Sequence, residues 1–291
     1  MKRILSSVIV LTLLAGLLFV LPNVSLAQQP TPTGAPTVIV AKYPFTLENC
    51  GLTITYEAPP RRAVTMNQAA TEIMLSLGLE DSMVGTAYLD DEILPELAEA
   101  YARVPVLSDQ YPSREVLLAV EPDFVYGTFR SAFKDTAAGS RETLLELGIS
   151  SYLAPGVCLD ENGKAPVVTF ETLYQELRDV ARIFGVPERG ESVIAAIEAR
   201  LEAVEAAIGD VKRPLRVFWY DSDTDSPYAG GVTGMPNTIL KQVGAENIFA
   251  DLDGSWVSVS WEEVIRRDPE VIVLINANLS TAQEKMDYLE A

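Results

Sequence analysis

Short β-branched runs take turns with longer stretches whose apolar residues fall three and four apart, the pattern of a fold that alternates strands and helices. Residues 38–57 alternate polar and apolar positions enough for one or two strands. Residues 62–66 (RAVTM) read as a strand ending at Asn67-Gln68, and a helix from Ala69 to Leu77 follows, stopped by Gly78. Residues 83–87 predict a short strand, 94–101 a helix, 124–127 (FVYG) a buried strand, 131–147 a helix and 150–154 another strand. Residues 170–184 carry apolar residues at i, i+3 and i+4, and Gly185-Val186-Pro187 breaks that helix. Glu188 to Ile208 then runs without Pro, rich in the good helix formers Ala, Glu, Arg and Leu. At 1.5 Å per residue it reaches roughly 30 Å. A second series opens with the strand 215–220 (LRVFWY). It continues through a Gly-rich loop, a helix at 236–243, a strand near 247–249 and the apolar strand 271–275, and the chain then enters a further helix.

The second series repeats the first. Residues 113–125 read SREVLLAVEPDFV and residues 260–272 read SWEEVIRRDPEVI, at a constant offset of 147. Ser113 matches Ser260, Glu115 matches Glu262, Pro122 matches Pro269 and Asp123 matches Glu270. Each copy reads as a helical turn opened by an N-cap serine, a Pro-acid stop and an apolar strand. Residues 73–85 likewise resemble 239–251, with Gly78 over Gly244 and Glu80 over Glu246. The expected fold class is α/β: two α/β lobes joined by one long α-helix, with a ligand cleft between them. The N-terminal lobe is expected over 38–169, connecting helices over 170–213 and the C-terminal lobe over 214–291. That second lobe has little room for the helix and strand that follow the Pro-acid strand in the first, so it is expected to be incomplete at its C-terminal side.

Composition narrows the compartment. Residues 1–27 read as a signal peptide: Lys2 and Arg3, an apolar run from Val8 to Val20, and the small-x-small site Ser25-Leu26-Ala27. An uncleaved anchor is the alternative, but the run is short for a membrane span. No Cys lies near the cut to be acylated. Residues 28–37 (QQPTPTGAPT) read as a disordered linker. The net charge of −19 argues against nucleic acid and anionic membrane surfaces as partners. Cys50 and Cys158 are an even pair in an exported chain, which reads as a disulfide, two free thiols being the alternative. The chain contains no histidine, which excludes Ser-His-Asp and Cys-His catalysis and removes the usual imidazole metal ligands. No metal site is expected from its own side chains.

Ligands of α/β lobes collect past the strand ends. The residues there are Asn67 and Gln68, Tyr88, the stretch from Tyr126 to Phe129-Arg130, Trp219 and Tyr220, and the loop around Trp256. Aromatic rings with polar handles and one guanidinium compose a pocket for a large, partly apolar, partly anionic molecule, core packing being the alternative for any one ring. Asp221, Asp223 and Asp225 invite a calcium-loop reading. Ser226 at the sixth position and Val232 at the twelfth break it. Gly230, Gly231 and Gly234 fit no phosphate-binding spacing and are expected in a tight turn or a close backbone approach. Glu115 and Glu262 sit near helix N-termini, where they either serve the helix dipole or form matched docking points for arginines of a two-fold partner.

The ordered set of AVTMNQAATEIMLSLGLEDSMVGTAY (63–88), SREVLLAVEPDFVYG (113–127), the long helix at 188–208, GAENIFAD (244–251) and SWEEVIRRDPEVIVL (260–274) resembles the solute-binding proteins of ABC importers for ferric siderophores and cobalamin. The resemblance covers nearly all of residues 45–275. It implies a monomeric binding protein, not an enzyme. Such a protein captures a metal chelate in its cleft and delivers it to a membrane permease dimer that meets Glu115 and Glu262. It implies no resident cofactor, the metal arriving inside its chelate. It places the chain outside the cytoplasm, in a periplasm or tethered at the outer face of the membrane. An iron-siderophore-type ligand is the first expectation, with Arg130 leaning toward an anionic one; cobalamin and haem are alternatives on the same fold. A secreted metal-dependent hydrolase using Asp221, Asp223 and Asp225, or an adhesion module, are the rivals from other classes.

Overall fold

Runs that are buried at every position need a sheet covered on both faces, and the chain builds one from its first half. The structure is a computed structural model that describes residues 41–277 and 280–290; the expected signal peptide and linker lie outside the described residues. A hairpin of β1 (Phe45–Asn49) and β2 (Leu52–Tyr56) opens it. There follow β3 (Ala63–Met66), α1 (Gln68–Ser76), β4 (Met83–Ala87), α2 (Ala98–Tyr101), β5 (Val106–Ser108), α3 (Arg114–Ala119), β6 (Phe124–Gly127), α4 (Arg141–Glu146) and β7 (Ser150–Leu153). The strands form a parallel sheet in the order β5-β4-β3-β6-β7. Every residue of β3 and β6 is buried.

The amphipathic α5 (Phe170–Ile183) covers this sheet with Tyr174, Leu177, Val180 and Ile183, which join Phe124, Tyr126 and Tyr152 in one core. A Thr169–Thr172 capping box fixes its start. The 22-residue α6 (Pro187–Ile208) packs back on α5, then runs out to the second lobe. There Glu205 accepts from Gln242, and Val211, just past the helix, packs on Gly244. At 1.5 Å per residue α6 is roughly 33 Å long.

The second lobe holds β8 (Arg216–Ser222), β9 (Tyr228–Gly230), α7 (Met235–Gln242), β10 (Glu246–Asn247), β11 (Trp256–Ser258), α8 (Trp261–Arg267), β12 (Val271–Leu274) and α9 (Ala282–Glu290). β10 and β12 flank β8 in parallel, as β4 and β6 flank β3. The repeat is thus structural. Glu121 and Asp268 end their helices at φ 45 and 48, and Gly78 and Gly244 turn at φ 64 and 67. Asp123 accepts from Arg61 N and Arg62 N, both at 2.8 Å, and Glu270 accepts from Arg216 N at 3.1 Å. A counterpart of β7 is absent among the described residues, and β12 leaves Val271 and Ile272 39% exposed.

The segment 131–147 is not one helix. Gly139 takes φ 86, where a Cβ would strike the Arg114 guanidinium, and Ser140 then caps α4 by accepting from Thr143 N. The Gly-rich loop after β8 is not all loop either. β9 lies within it and pairs antiparallel with β8 on one side and with β11, from beyond β10, on the other, a departure from the repeat. Gly231 and Gly234 serve this pairing: a Cβ on either would lie 2.3–2.4 Å from the carbonyl of Gly254 or Ser255. The close approach is between two stretches of backbone.

Cys50, in the β1–β2 turn, is disulfide-bonded to Cys158, with Cα atoms 4.9 Å apart. Asn49 makes the same attachment without covalent help, its side chain exchanging two hydrogen bonds with the backbone of Leu153 at 2.8 and 2.9 Å. A bridge across 108 residues contributes up to about 4–5 kcal/mol if chain entropy dominates.

Candidate ligand-binding cleft

Parallel strands deliver their C-terminal ends to one edge, and here that edge faces the other lobe. The chain leaves β3 and β4 through Asn67 at φ 99 and Tyr88 at φ 55, conformations that cost a side-chain-bearing residue free energy and recur at ligand sites. Asn67 N still bonds Ala87 O at 2.9 Å, so both turns belong to one ladder.

Two adjoining chambers lie between the lobes and share Ala69 and Phe129. The first, of about 390 Å³, is walled by Ile73, Val157, Leu173, Met235, Pro236 and Trp256, with Thr128 and Glu176 among its few polar side chains. The second, of about 360 Å³, is polar: Asn67, Gln68, Glu72, Asp90 and Asp91 come from the first lobe, and Asp221 and Asn276 from the second. The described lining of both chambers contains no Lys or Arg. A strap from the first lobe closes one side, with Val168 N donating to Thr233 O at 2.8 Å and Val168 O accepting from Thr238 Oγ1 at 2.5 Å. Lys164 pairs with Asp253 at 3.2 Å beside it. A larger groove of about 940 Å³ runs along α6, but its described lining comes from the first lobe and α6, away from the strand ends. Its Arg189 is committed to the carbonyls of Leu77 and Gly78.

Local bonds set the polar wall. Gln68 donates to Glu72 Oε1 and to the carbonyl of Glu92 while accepting from Asp91 N at 2.7 Å, which fixes the acidic loop over α1. Tyr111 donates to Asn67 Oδ1 at 2.9 Å. On the other lobe, the buried Lys285 ties the carbonyls of Ile275 and Ser280 behind the wall, its ammonium pKa lowered by burial against the pull of Asp221 and Glu284.

At the apolar chamber α5 carries two acids, Glu176 buried and Asp179 half-buried. Tyr126 donates to Glu176 Oε1 at 2.5 Å, and Tyr152 donates to Asp179 Oδ2 at 2.9 Å. Burial pushes the Glu176 carboxyl up to about 7; the Tyr126 bond opposes that shift and Asp179 adds to it. Asp179 is also raised by burial.

The residues picked from sequence separate on this geometry. Asn67 and Gln68 line the polar chamber and Trp256 the apolar one. Tyr88 stands edge-on to Tyr111 at 4.7 Å, outside the lining of either chamber. Arg130 is exposed and also outside that lining; its neighbour Phe129, 46% exposed, occupies the cleft instead. Tyr126 and Tyr220 are core residues, a correction to their expected place: both are fully buried, and Tyr220 stacks on Phe218 with its hydroxyl on Asp223 O. Strand alternation turns Trp219 to the opposite face from that pair, where its indole N–H has no acceptor among the described residues. Glu115 and Glu262 are exposed at the second positions of α3 and α8, where the caps are Ser113 and Ser260, bonded to Val116 N and Glu263 N. Of the three aspartates, Asp221 lines the cleft while Asp223 accepts from Asp225 N within its own turn.

Sequence reasoning missed Glu72, Asp90, Asp91, Thr128 and Glu176. Glu176 had a signal: it falls on the apolar stripe of Leu173, Leu177 and Val180, where a carboxyl is out of pattern. The acidic loop had none, since solvated acids on loops are ordinary.

Comparison with known proteins agrees with this architecture. The sequence profile of the periplasmic binding protein family matches residues 64–288. The chain is 27% identical over 225 residues to the vitamin B12-binding protein of Pectobacterium atrosepticum, covering 76% of this chain and 74% of that one. Among solved structures it is similar to a periplasmic binding protein from Veillonella parvula, with a TM-score of 0.72 and 30% identity over 87% of this chain and 82% of the other. It is also similar to an ABC-type Fe3+-hydroxamate transport system from Saccharomonospora viridis, with a TM-score of 0.65 and 28% identity over 80% of both chains. Among the described residues no helix is long and apolar enough to cross a membrane. The chain belongs to the periplasmic binding protein family and is a binding protein, not an enzyme.

Proposed function

We propose that this chain is the ligand-binding component of an ABC importer and that its cleft takes a neutral or cationic metal chelate, a corrinoid before any other. The observation that carries the choice is the polar chamber, where Glu72, Asp90, Asp91 and Asp221 surround the amides of Asn67, Gln68 and Asn276 with no cation in the described lining. Carboxylates in a confined site repel anionic ligands and accept from N–H donors. A corrin edge bears amide donors. A ferric catecholate or a haem brings anions that this wall has nothing to pair with. The apolar chamber beside it suits the hydrocarbon part of such a ligand. The relationship to a vitamin B12-binding protein supports the same assignment. A neutral or cationic ferric hydroxamate is the second reading, favoured by the likeness to the Saccharomonospora viridis structure. The Arg130 lean toward an anionic siderophore is set aside on this charge pattern.

The ligand would be captured outside the cytoplasmic membrane and handed to a permease, with Glu115 and Glu262 as the docking pair. Titration with cyanocobalamin, a ferric hydroxamate, a ferric catecholate and haem, followed by tryptophan fluorescence, tests the assignment. Saturable quenching by cyanocobalamin without response to the catecholate is expected. Binding of haem or the catecholate, with no response to the other two, overturns it.

A further inference from the structure

Two polar groups enter the otherwise apolar chamber. Thr128 is 8% exposed, and its hydroxyl has no hydrogen-bond partner among the described residues. Glu176, also 8% exposed, gives Oε1 to the Tyr126 hydroxyl, while Oε2 accepts from no described residue. Both groups line the cavity alongside Ile73, Val157 and Leu173, and its described lining contains no Lys or Arg. A buried hydroxyl without a partner costs stability, a cost removed when a ligand atom supplies the bond. The arrangement offers two oxygens in a low-dielectric wall and has nothing in it to neutralise an anion.

We propose that Thr128 and Glu176 form a recognition subsite for one N–H donor on an apolar stem, an amide or ammonium arm of the ligand. Tyr126 fixes the carboxyl from behind, so Oε2 is the oxygen available to the donor. The hydroxyl of Thr128 supplies the second acceptor. Ile73, Leu173 and Trp256 select a hydrocarbon stem over a charged one. The proposal rests on the cleft being the ligand site and names which group of the ligand enters the apolar half.

The test probes the chamber with molecules small enough to enter it alone. The folded protein is titrated at pH 8 with hexylammonium and with hexanoate, which share the stem and differ in charge. The methyl resonances of Thr128, Val157 and Leu173 report on the chamber. Hexylammonium is expected to bind about tenfold more tightly than hexanoate. Glu176→Gln should erase most of that preference, and Thr128→Val should weaken hexylammonium about threefold. Thr128→Val also serves where the glutamine variant fails to fold. Equal binding of the two probes, an unchanged preference in the variants, or shifts confined to the Gln68 chamber overturn the subsite. Cyanocobalamin is titrated separately. If it does not bind while the ammonium preference persists, the corrinoid assignment falls and the subsite stands.

Discussion

Glu176 is a carboxyl whose titration burial moves up to near neutrality. It lies on the core face of α5 with its charge poorly solvated, and Asp179, one turn on, disfavours a second negative charge. The folded value of about 7 stands above the ordinary 4.5, so its stabilising contribution is full below pH 4.5 and is lost as pH rises through 7. Glu176→Gln keeps the shape and the bond from Tyr126 and removes the titration. The variant should therefore gain on the wild type between pH 5 and pH 8, by up to on the order of 3 kcal/mol. Thermal unfolding of both proteins across that range checks it, and parallel Tm curves would refute it. The position was open to detection in the sequence as an acid on an apolar stripe. Its partners were not, because Tyr126 is 50 residues away and only the sheet brings it under α5.

At the scale of elements, the two Pro-acid junctions do the same work in both lobes. Asp123 ties the backbone entering β3 to the start of β6, and Glu270 ties the start of β8 to that of β12. Arg62 and Arg216 reinforce them by reaching back to the carbonyls of Glu121 and Asp268 at 2.7 and 2.8 Å. Asp123 accepts two charge-assisted backbone bonds, so Asp123→Ala should cost about 2 kcal/mol in urea unfolding. Glu270→Ala loses one such bond and exposed ion pairs, which solvent screens, and should lower the urea midpoint by less than Asp123→Ala does. Equal losses would refute the ordering by bond count, and no loss at either would show that the junctions are decorative. These units were legible because their signals are local: a serine cap, a proline, a β-branched run. The β9–β11 pairing was not, since it joins two short segments whose glycines matter for backbone clearance and leave no apolar period. For the same reason the cleft's location followed from strand ends, while its acidic character came from loops that no period marks.

Across the whole molecule, α6 ties a repeat unit in one lobe to its copy in the other. A continuous helix resists bending, because bending breaks its backbone bonds, so only a small change in lobe spacing is expected on ligand binding. Glu115 and Glu262 ride on equivalent helices of that repeat. Their helices are capped by serines, which leaves both carboxylates exposed and without a hydrogen bond or ion pair among the described residues. Neither lines the cleft. If Glu115 and Glu262 are the docking pair proposed above, capture and delivery fall on different residues and can be separated by mutation. Replacing both with lysine should leave cyanocobalamin affinity within about twofold while reducing uptake through the cognate permease tenfold or more, equivalent to about 1.4 kcal/mol lost at the docking surface. A single reversal should give an intermediate loss, because one lobe would still engage. Uptake that survives the double reversal in a protein that still binds ligand would remove Glu115 and Glu262 from the docking role. Loss of ligand binding in the same variant would instead mean that charge at the lobe surface reaches the cleft.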